Sequence, residues 1–275
     1  MAITLTSKFS PLIDEKFKLG ALSTPGVNND YEFVGAQTVK VTSVNTVALT
    51  DYARSGGSRF GTPTELENTI QELTLSQDKA FSFTIDKMNE EETEMKAAEA
   101  LARQLREVVI PHVDTYRFAQ MVAKADKKHV KEVELTKDNV HEEILTGTEA
   151  LDDEEVPDNR IIFATPAGIK WLKLCDTFVK TSDMSKDAIL LKGQVAELDG
   201  MPVIKVPTTR LGANVNFIIT HRSATVAPIK LEDYRLHVDP PGISGTLAEG
   251  RIYFDAFILN NKKKAIYVCK APAGA

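Results

Sequence analysis

The side chains that could do chemistry are present in this chain, but their spacing does not assemble a site. The five histidines, at 112, 129, 141, 221 and 237, show no metal-ligand spacing with one another or with Cys175 and Cys269. The acidic run Asp152-Asp153-Glu154-Glu155 could attract a cation, yet no Gly-punctuated ligand loop accompanies it, so it reads as a solvated boundary loop. Gly56-Gly57-Ser58-Arg59-Phe60-Gly61 resembles a phosphate loop only superficially, lacking the Gly-Lys-Ser/Thr ending and a buried strand ahead of it. Gly242-Ile243-Ser244-Gly245 is not a nucleophile elbow, which needs Gly two residues before and two after the Ser; Gly242 is present, but Thr246 stands in the second place. Cys175 and Cys269 are each flanked by apolar residues and read as buried reduced thiols, with Cys175 in a core and not a nucleophile. The expectation is a protein with no catalytic residue, cofactor or metal.

Composition narrows the classes further. With 275 residues, 43% hydrophobic and 26% charged, the chain can bury one large or two medium cores and is not wholesale disordered. A net charge of −6 argues against tight, sequence-independent DNA binding, which needs clustered Lys and Arg. The basic cluster from Lys124 to Lys131 is short, contains Asp126 and has no interleaved aromatics, so it reads as a solvated helix end. No apolar run reaches membrane-spanning length, and the first residues lack the basic and apolar stretches of a secretion signal, which predicts synthesis in the cytosol.

What remains is a strongly patterned stretch without a chemical site. Residues 39–47 and 70–85 carry apolar side chains at alternate positions: Val39 and Val41, Leu73 and Leu75, then Phe81, Phe83 and Ile85. That is the period of a strand with one buried face. Between the two arms, residues 51–61 are too polar and Gly-rich to be core, and Thr62-Pro63-Thr64-Glu65 predicts a short helical turn. A long helix is expected from about Asn89, opening on Glu90-Glu91-Glu92 and burying Met95, Ala98, Leu101, Ala102, Leu105, Val108 and Val109. Pro111 should kink or break it. A ribbon with a soft tip, followed by a long helix, reaches outward toward something that is not this chain.

The rest alternates. Residues 1–36 read as an extended arm with sparse anchors at Leu12-Ile13 and Phe17-Lys18-Leu19. A helix is expected over 138–151, and residues 160–164 read as a buried strand followed by a Thr165-Pro166 helix start. That helix, through Lys180, should bury Trp171, Leu174, Cys175 and Phe178. Strands at 195–198 and 201–206 flank an Asp199-Gly200 hairpin turn, and residues 216–220 form another. Two last strands, 251–259 and 265–269, flank a turn at Asn260-Asn261.

The order of these parts, together with four local echoes, resembles the major capsid proteins of tailed bacteriophages, with the Hong Kong 97-type fold. The echoes are residues 81–87 (FSFTIDK), 110–117 (IPHVDTYR), 193–203 (GQVAELDGMPV) and 250–257 (GRIYFDAF). They resemble capsid proteins of phages and prophages of low-GC Gram-positive bacteria, and their order spans nearly the whole chain. The resemblance implies an α+β fold with an N-arm at 1–36 and an E-loop region at 37–86. It implies a peripheral P-domain, with the spine helix, at 87–155 and 228–275, and an axial A-domain at 156–227.

It also implies a structural protein and not an enzyme, whose partners are further copies of itself in pentamers and hexamers of an icosahedral head shell. A portal, a separate scaffolding protein, packaged double-stranded DNA in weak non-specific contact and, in some relatives, a decoration protein would accompany it. No membrane is involved. The chain would reside in the virion, and in host cytoplasm during assembly. By position, the candidate intersubunit contacts are Arg54, Arg59 and Phe60 at the loop tip, meeting Glu90, Glu91 and Glu94 of an adjacent copy's helix start. Two departures matter. Some relatives weld subunits through a Lys near the loop tip, whereas this chain has no Lys between Lys40 and Lys79. Others carry an N-terminal scaffolding domain, for which an arm beginning almost at Met1 leaves no room. The alternatives are an encapsulin-type nanocompartment shell, which shares the fold, and an unrelated α/β enzyme.

Overall fold

The computed structural model describes residues 21–28, 38–57, 59–63, 65–88, 97–175 and 194–272. The chain divides into two compact units, one of residues 33–75 and one of residues 1–32 with 76–275.

The smaller unit is a two-stranded antiparallel ribbon, β1 (Thr38–Val44) against β2 (Asn68–Thr74), with Thr38 opposite Thr74 and Val44 opposite Asn68. Lys40 and Glu72 face each other in this register and pair at 2.9 Å, and Thr38 and Thr74 share a 2.9 Å hydroxyl contact. Leu73 and Leu75 are buried, as the alternation predicts. The second arm is nevertheless not one strand. It breaks after Leu75, and β3 (Gln77–Asp86) pairs with a strand far along the chain instead of with β1. A period of two persists across such a break, so the pattern alone could not show the change of sheet. The described residues around 62–65 form no helical turn.

In the larger unit, β3 is the edge of a three-stranded antiparallel sheet with β10 (Ile229–Val238) and β11 (Gly245–Phe254), in the order β10-β11-β3. A long helical spine lies on this sheet. It comprises α1 (Ala97–Gln104), one π turn (Leu105–Val109) and α2 (Ile110–Lys124). Leu101, Leu105, Val109 and Val113 pack against Phe81, Phe83, Tyr234, Ile252 and Phe254. Val108, expected on this face, is half exposed.

Pro111 does not break the spine. It has no N–H to give, and the wide turn before it, closed by Ile110 N–H on the Leu105 carbonyl, shifts the ladder so that the proline enters at the first turn of α2.

The second core surrounds a six-stranded mixed sheet. Its strands are β4 (Val130–Glu132), β5 (Arg160–Ala164), β6 (Gln194–Leu198), β7 (Met201–Lys205), β8 (Val215–His221) and β13 (Ile266–Lys270). They run in the order β4-β13-β8-β5-β7-β6. Both faces are covered, which is why β5 reads as an unbroken apolar run. Ile162, Phe217, Ile219 and Tyr267 face α3 (Val140–Asp153) and α4 (Pro166–Leu174), while Ile161, Phe163, Ile218 and Val268 meet Phe118 and Met121 of α2.

Thr165 caps α4 by accepting the Gly168 N–H at 3.2 Å, as its position predicts. α4 stops at Leu174, which is half exposed, whereas Cys175 is buried. Phe178 and Lys180 lie outside the described residues. The Asp199-Gly200 hairpin has φ of 50° and 70° at its two central residues, the signature of a type I′ turn. A short α5 (Thr208–Leu211) follows β7. The pair β9 (Thr225–Val226) and β12 (Phe257–Ile258) links the two sheets in sequence. The two last strands expected from sequence are not a hairpin, since β11 pairs with β10 and β3 while β13 pairs with β8 and β4.

Candidate interaction surface

Between β1 and β2 the described residues from 45 to 67 hold no regular secondary structure. The sequence dictates this: Gly56 and Gly61 hold φ of 107° and 76°, and the polar residues around them offer no face to bury. The tip is closed by the Ala53 N–H on the Arg59 carbonyl at 3.0 Å and by an edge-to-face contact of Tyr52 with Phe60, centroids 5.0 Å apart. Phe60 is still 83% exposed, and Val47, Leu49, Leu66 and Ile70 are also exposed on this small unit. Arg54 and Arg59 are exposed and make no ion pair with another described residue. Of the six candidate contacts, then, Arg54, Arg59 and Phe60 are gathered at one exposed tip. Glu90, Glu91 and Glu94 lie outside the described residues.

Where the ribbon ends, the chain is clamped. Asp255 is buried and accepts from Ser76 N–H and Ser76 Oγ, both at 2.8 Å, and from the Tyr116 hydroxyl at 2.7 Å. One carboxylate thereby fixes the first residue after the ribbon to the middle of the spine helix. Burial and the Asp255 hydrogen bond both push the Tyr116 phenol above its ordinary pKa, so it stays a donor.

A second carboxylate does the same for the arm segment 21–28. Asp114, fully buried on α2, accepts from Leu22 N–H (3.0 Å), Ser23 N–H (3.2 Å), Ser23 Oγ (2.6 Å) and Arg210 Nη1 (3.1 Å). Arg117, one turn on and also buried, donates to Ser23 Oγ at 3.1 Å. Desolvation lowers the Arg117 pKa and the neighbouring Asp114 and Glu232 charges oppose it. Beyond Ser23 the segment pairs with β9 through Asn28 N–H on the Thr225 carbonyl at 2.7 Å and Ala227 N–H on the Asn28 carbonyl at 3.0 Å.

Sequence reasoning missed Asp114 and Asp255. One signal existed for Asp114, which shares a helical face with Ile110, Val113, Phe118 and Met121, a position where a lone carboxylate must be paired.

The two carboxylates hold together chain segments that are far apart in sequence. Both thiols are buried, and burial pushes Cys269 up to about 11, so it stays protonated at neutral pH. Among the described residues no three His, Cys, Asp or Glu side chains gather to hold a metal, and no helix is long and apolar enough to cross a membrane.

No protein-family model and no curated protein matches this chain. Solved structures do. A structure from Mycobacterium phage Che8 superposes with a TM-score of 0.73 at 17% identity, covering 91% of this chain and 90% of that one. The mature capsid of bacteriophage PhiM1 follows the same path, with a TM-score of 0.68, 12% identity and coverage of 88% and 84%. A virus-like particle from Pyrococcus furiosus gives a TM-score of 0.58 at 12% identity, covering 98% of this chain and all of the other.

Proposed function

We propose that this chain, which has the α+β Hong Kong 97-type fold of phage capsid structures, is a major capsid protein that assembles with copies of itself into the head shell of a tailed phage. The observation that carries the reading is the ribbon. This small unit exposes Val47, Leu49, Phe60, Leu66 and Ile70, which supports a partner surface for it. On a neighbouring copy those residues gain burial, and many such contacts act together around a closed shell.

In this reading residues 1–36 are the N-arm, 37–86 the E-loop region, 87–155 with 228–275 the P-domain and 156–227 the A-domain. The tip residues Arg54, Arg59 and Phe60 meet Glu90, Glu91 and Glu94 of an adjacent copy, where a desolvated ion pair fixes register more than an exposed one would. The other partners are a portal, a scaffolding protein, and packaged double-stranded DNA. The protein works as structure and not as an enzyme, in the virion after assembly in host cytoplasm.

Sedimentation of the purified chain, with and without a scaffolding protein, should give species far above 30.3 kDa. A strictly monomeric profile at high concentration under both conditions sinks the reading. Changing Arg54 and Arg59 together to Ala should impair assembly and leave the subunit folded, whereas shells of normal yield and salt resistance would refute the pairing. The likeness to the Pyrococcus furiosus virus-like particle supports a second reading, a nanocompartment shell with protein cargo. Nuclease-protected DNA inside particles from infected cells separates the two.

A further inference from the structure

Three short 3-10 turns from distant parts of the chain meet at one end of the six-stranded sheet, and each is basic. Lys127–His129 leads into β4, Arg222–Ala224 follows β8, and Asn260–Ala265 leads into β13. Because β4 runs parallel to β13 and β8 antiparallel to it, the two strand starts and the one strand end coincide. Hydrogen bonds join the turns: Asp126 N–H to the Lys263 carbonyl and Leu259 N–H to the Ala224 carbonyl, each 3.4 Å.

The turns bring together Lys127, Lys128, Arg222, Lys262, Lys263 and Lys264. Among the described residues only Lys264 of these six is spent on an ion pair, with Glu154 at 2.5 Å, and Arg222 places its Nε on the Val27 carbonyl at 3.1 Å. Lys127, Lys128, Lys262 and Lys263 pair with no described carboxylate. Asp126 is turned inward to cap its own turn, accepting the Lys128 N–H at 3.0 Å, and Asp152 is turned to Arg160 at 2.6 Å. The field is felt locally. The Lys264 hydrogen bond, with the Lys128 charge behind it, holds Glu154 below the usual carboxylate range, and the Lys262 charge adds to burial in lowering His221.

We propose that these three turns form a contact surface for the phosphate backbone of double-stranded nucleic acid. The chain as a whole is acidic, so this concentration of unpaired cations is local and not a by-product of composition. None of the exposed large hydrophobic residues among the described ones lies in the turns, and a protein partner would need such a centre. No Phe, Tyr or Trp occurs in them and His129 is buried, so bases are not stacked and contact is independent of sequence. The proposal rests on the shell reading only for the source of the nucleic acid.

The test is fluorescence anisotropy of a short labelled DNA duplex with the full chain over a series of salt concentrations. Each double variant, Lys127→Ala with Lys128→Ala or Lys262→Ala with Lys263→Ala, should weaken binding several-fold and reduce the salt slope by about 1–2. The four-fold variant should lose measurable binding. Thermal melting checks that these variants fold, and the control pair Lys170→Ala with Lys173→Ala on α4 should bind like the parent. Unchanged affinity and slope in the four-fold variant, or an equal loss in the control, overturns the proposal. Sedimentation keeps the two readings apart. A chain that never assembles but loses DNA binding with these lysines refutes the shell alone, and one that assembles while its variants bind DNA normally refutes the contact surface alone.

Discussion

Ser23 Oγ stands 2.6 Å from Asp114 Oδ1, although 91 positions separate the two residues. The contact fastens an arm segment to the spine helix from inside the protein, and Arg117 and Arg210 close on the same two groups. Asp114→Asn keeps the volume and removes the charge, leaving Arg210 without its ion-pair partner and the buried Arg117 with the Glu232 charge alone to oppose its desolvation. The expected loss is about 3–5 kcal/mol in urea unfolding of the unassembled subunit, against about 1 kcal/mol for Ser23→Ala. A variant as stable as the parent would show that the arm is held by something else.

Gly250 sits in the middle of β11 beneath a stack of Phe81 and Tyr234, whose ring centroids are 6.1 Å apart. A Cβ there would come within 2.4 Å of Phe81 and 2.7 Å of Tyr234. Gly250→Ala must displace both rings from the spine-helix core, so a cost of about 1–3 kcal/mol is expected. Its near-ultraviolet circular dichroism should change while the far-ultraviolet spectrum does not. An unchanged aromatic spectrum would mean that the rings yield without cost.

How much of this was legible in the sequence depended on the distance between partners. The Thr165 cap, the Asp199-Gly200 turn and the buried β5 are set by residues within a few positions of one another, and each stands where its pattern put it. The exposed tip of Arg54, Arg59 and Phe60 was legible for the same reason, since Gly-flanked polar chain has nothing to bury. The break between β2 and β3 was not, because Leu73, Leu75, Phe81, Phe83 and Ile85 keep one parity across it while the strands change sheets. Nor were the clamps. Asp255 serves Tyr116 and Ser76, 139 and 179 positions away, and no local pattern encodes a partner at that separation.

His221 links the fold to pH. Burial first, then the charges of Lys262 and Arg160, lower its pKa below the ordinary 6.5, and its contact with the Asp158 backbone only partly opposes them. On its own turn the ring is held by Ser223, whose Oγ lies 2.9 Å from Nδ1. With the folded pKa depressed, the unfolded chain takes up the proton first as pH falls. Above 6.5 neither state is protonated and His221 contributes nothing to the pH dependence; below 6.5 stability is lost until the folded pKa is passed. Urea midpoints should therefore drop less between neutral pH and mildly acidic pH in His221→Gln than in the parent. Equal drops would assign the acid sensitivity to other groups.

Covalent welding between copies is not expected in the proposed shell. An isopeptide bond needs a free amine near the loop tip, a side-chain carboxyl or amide to receive it, and a neighbouring group to move the proton. The chain has no Lys between Lys40 and Lys79. Lys40 is hydrogen-bonded across the ribbon to Glu72 at 2.9 Å, and that bond raises its pKa, so the amine stays a charged donor and a poor nucleophile. Lys79 is exposed, but it belongs to β3, opposite Ile252 of β11, and not to the tip. A disulfide is no substitute, since Cys175 and Cys269 are both buried. Denaturing electrophoresis of mature particles should give one band at 30.3 kDa, with or without reductant. A ladder that persists in reductant would overturn this, and its loss in Lys40→Ala or Lys79→Ala would identify the amine responsible.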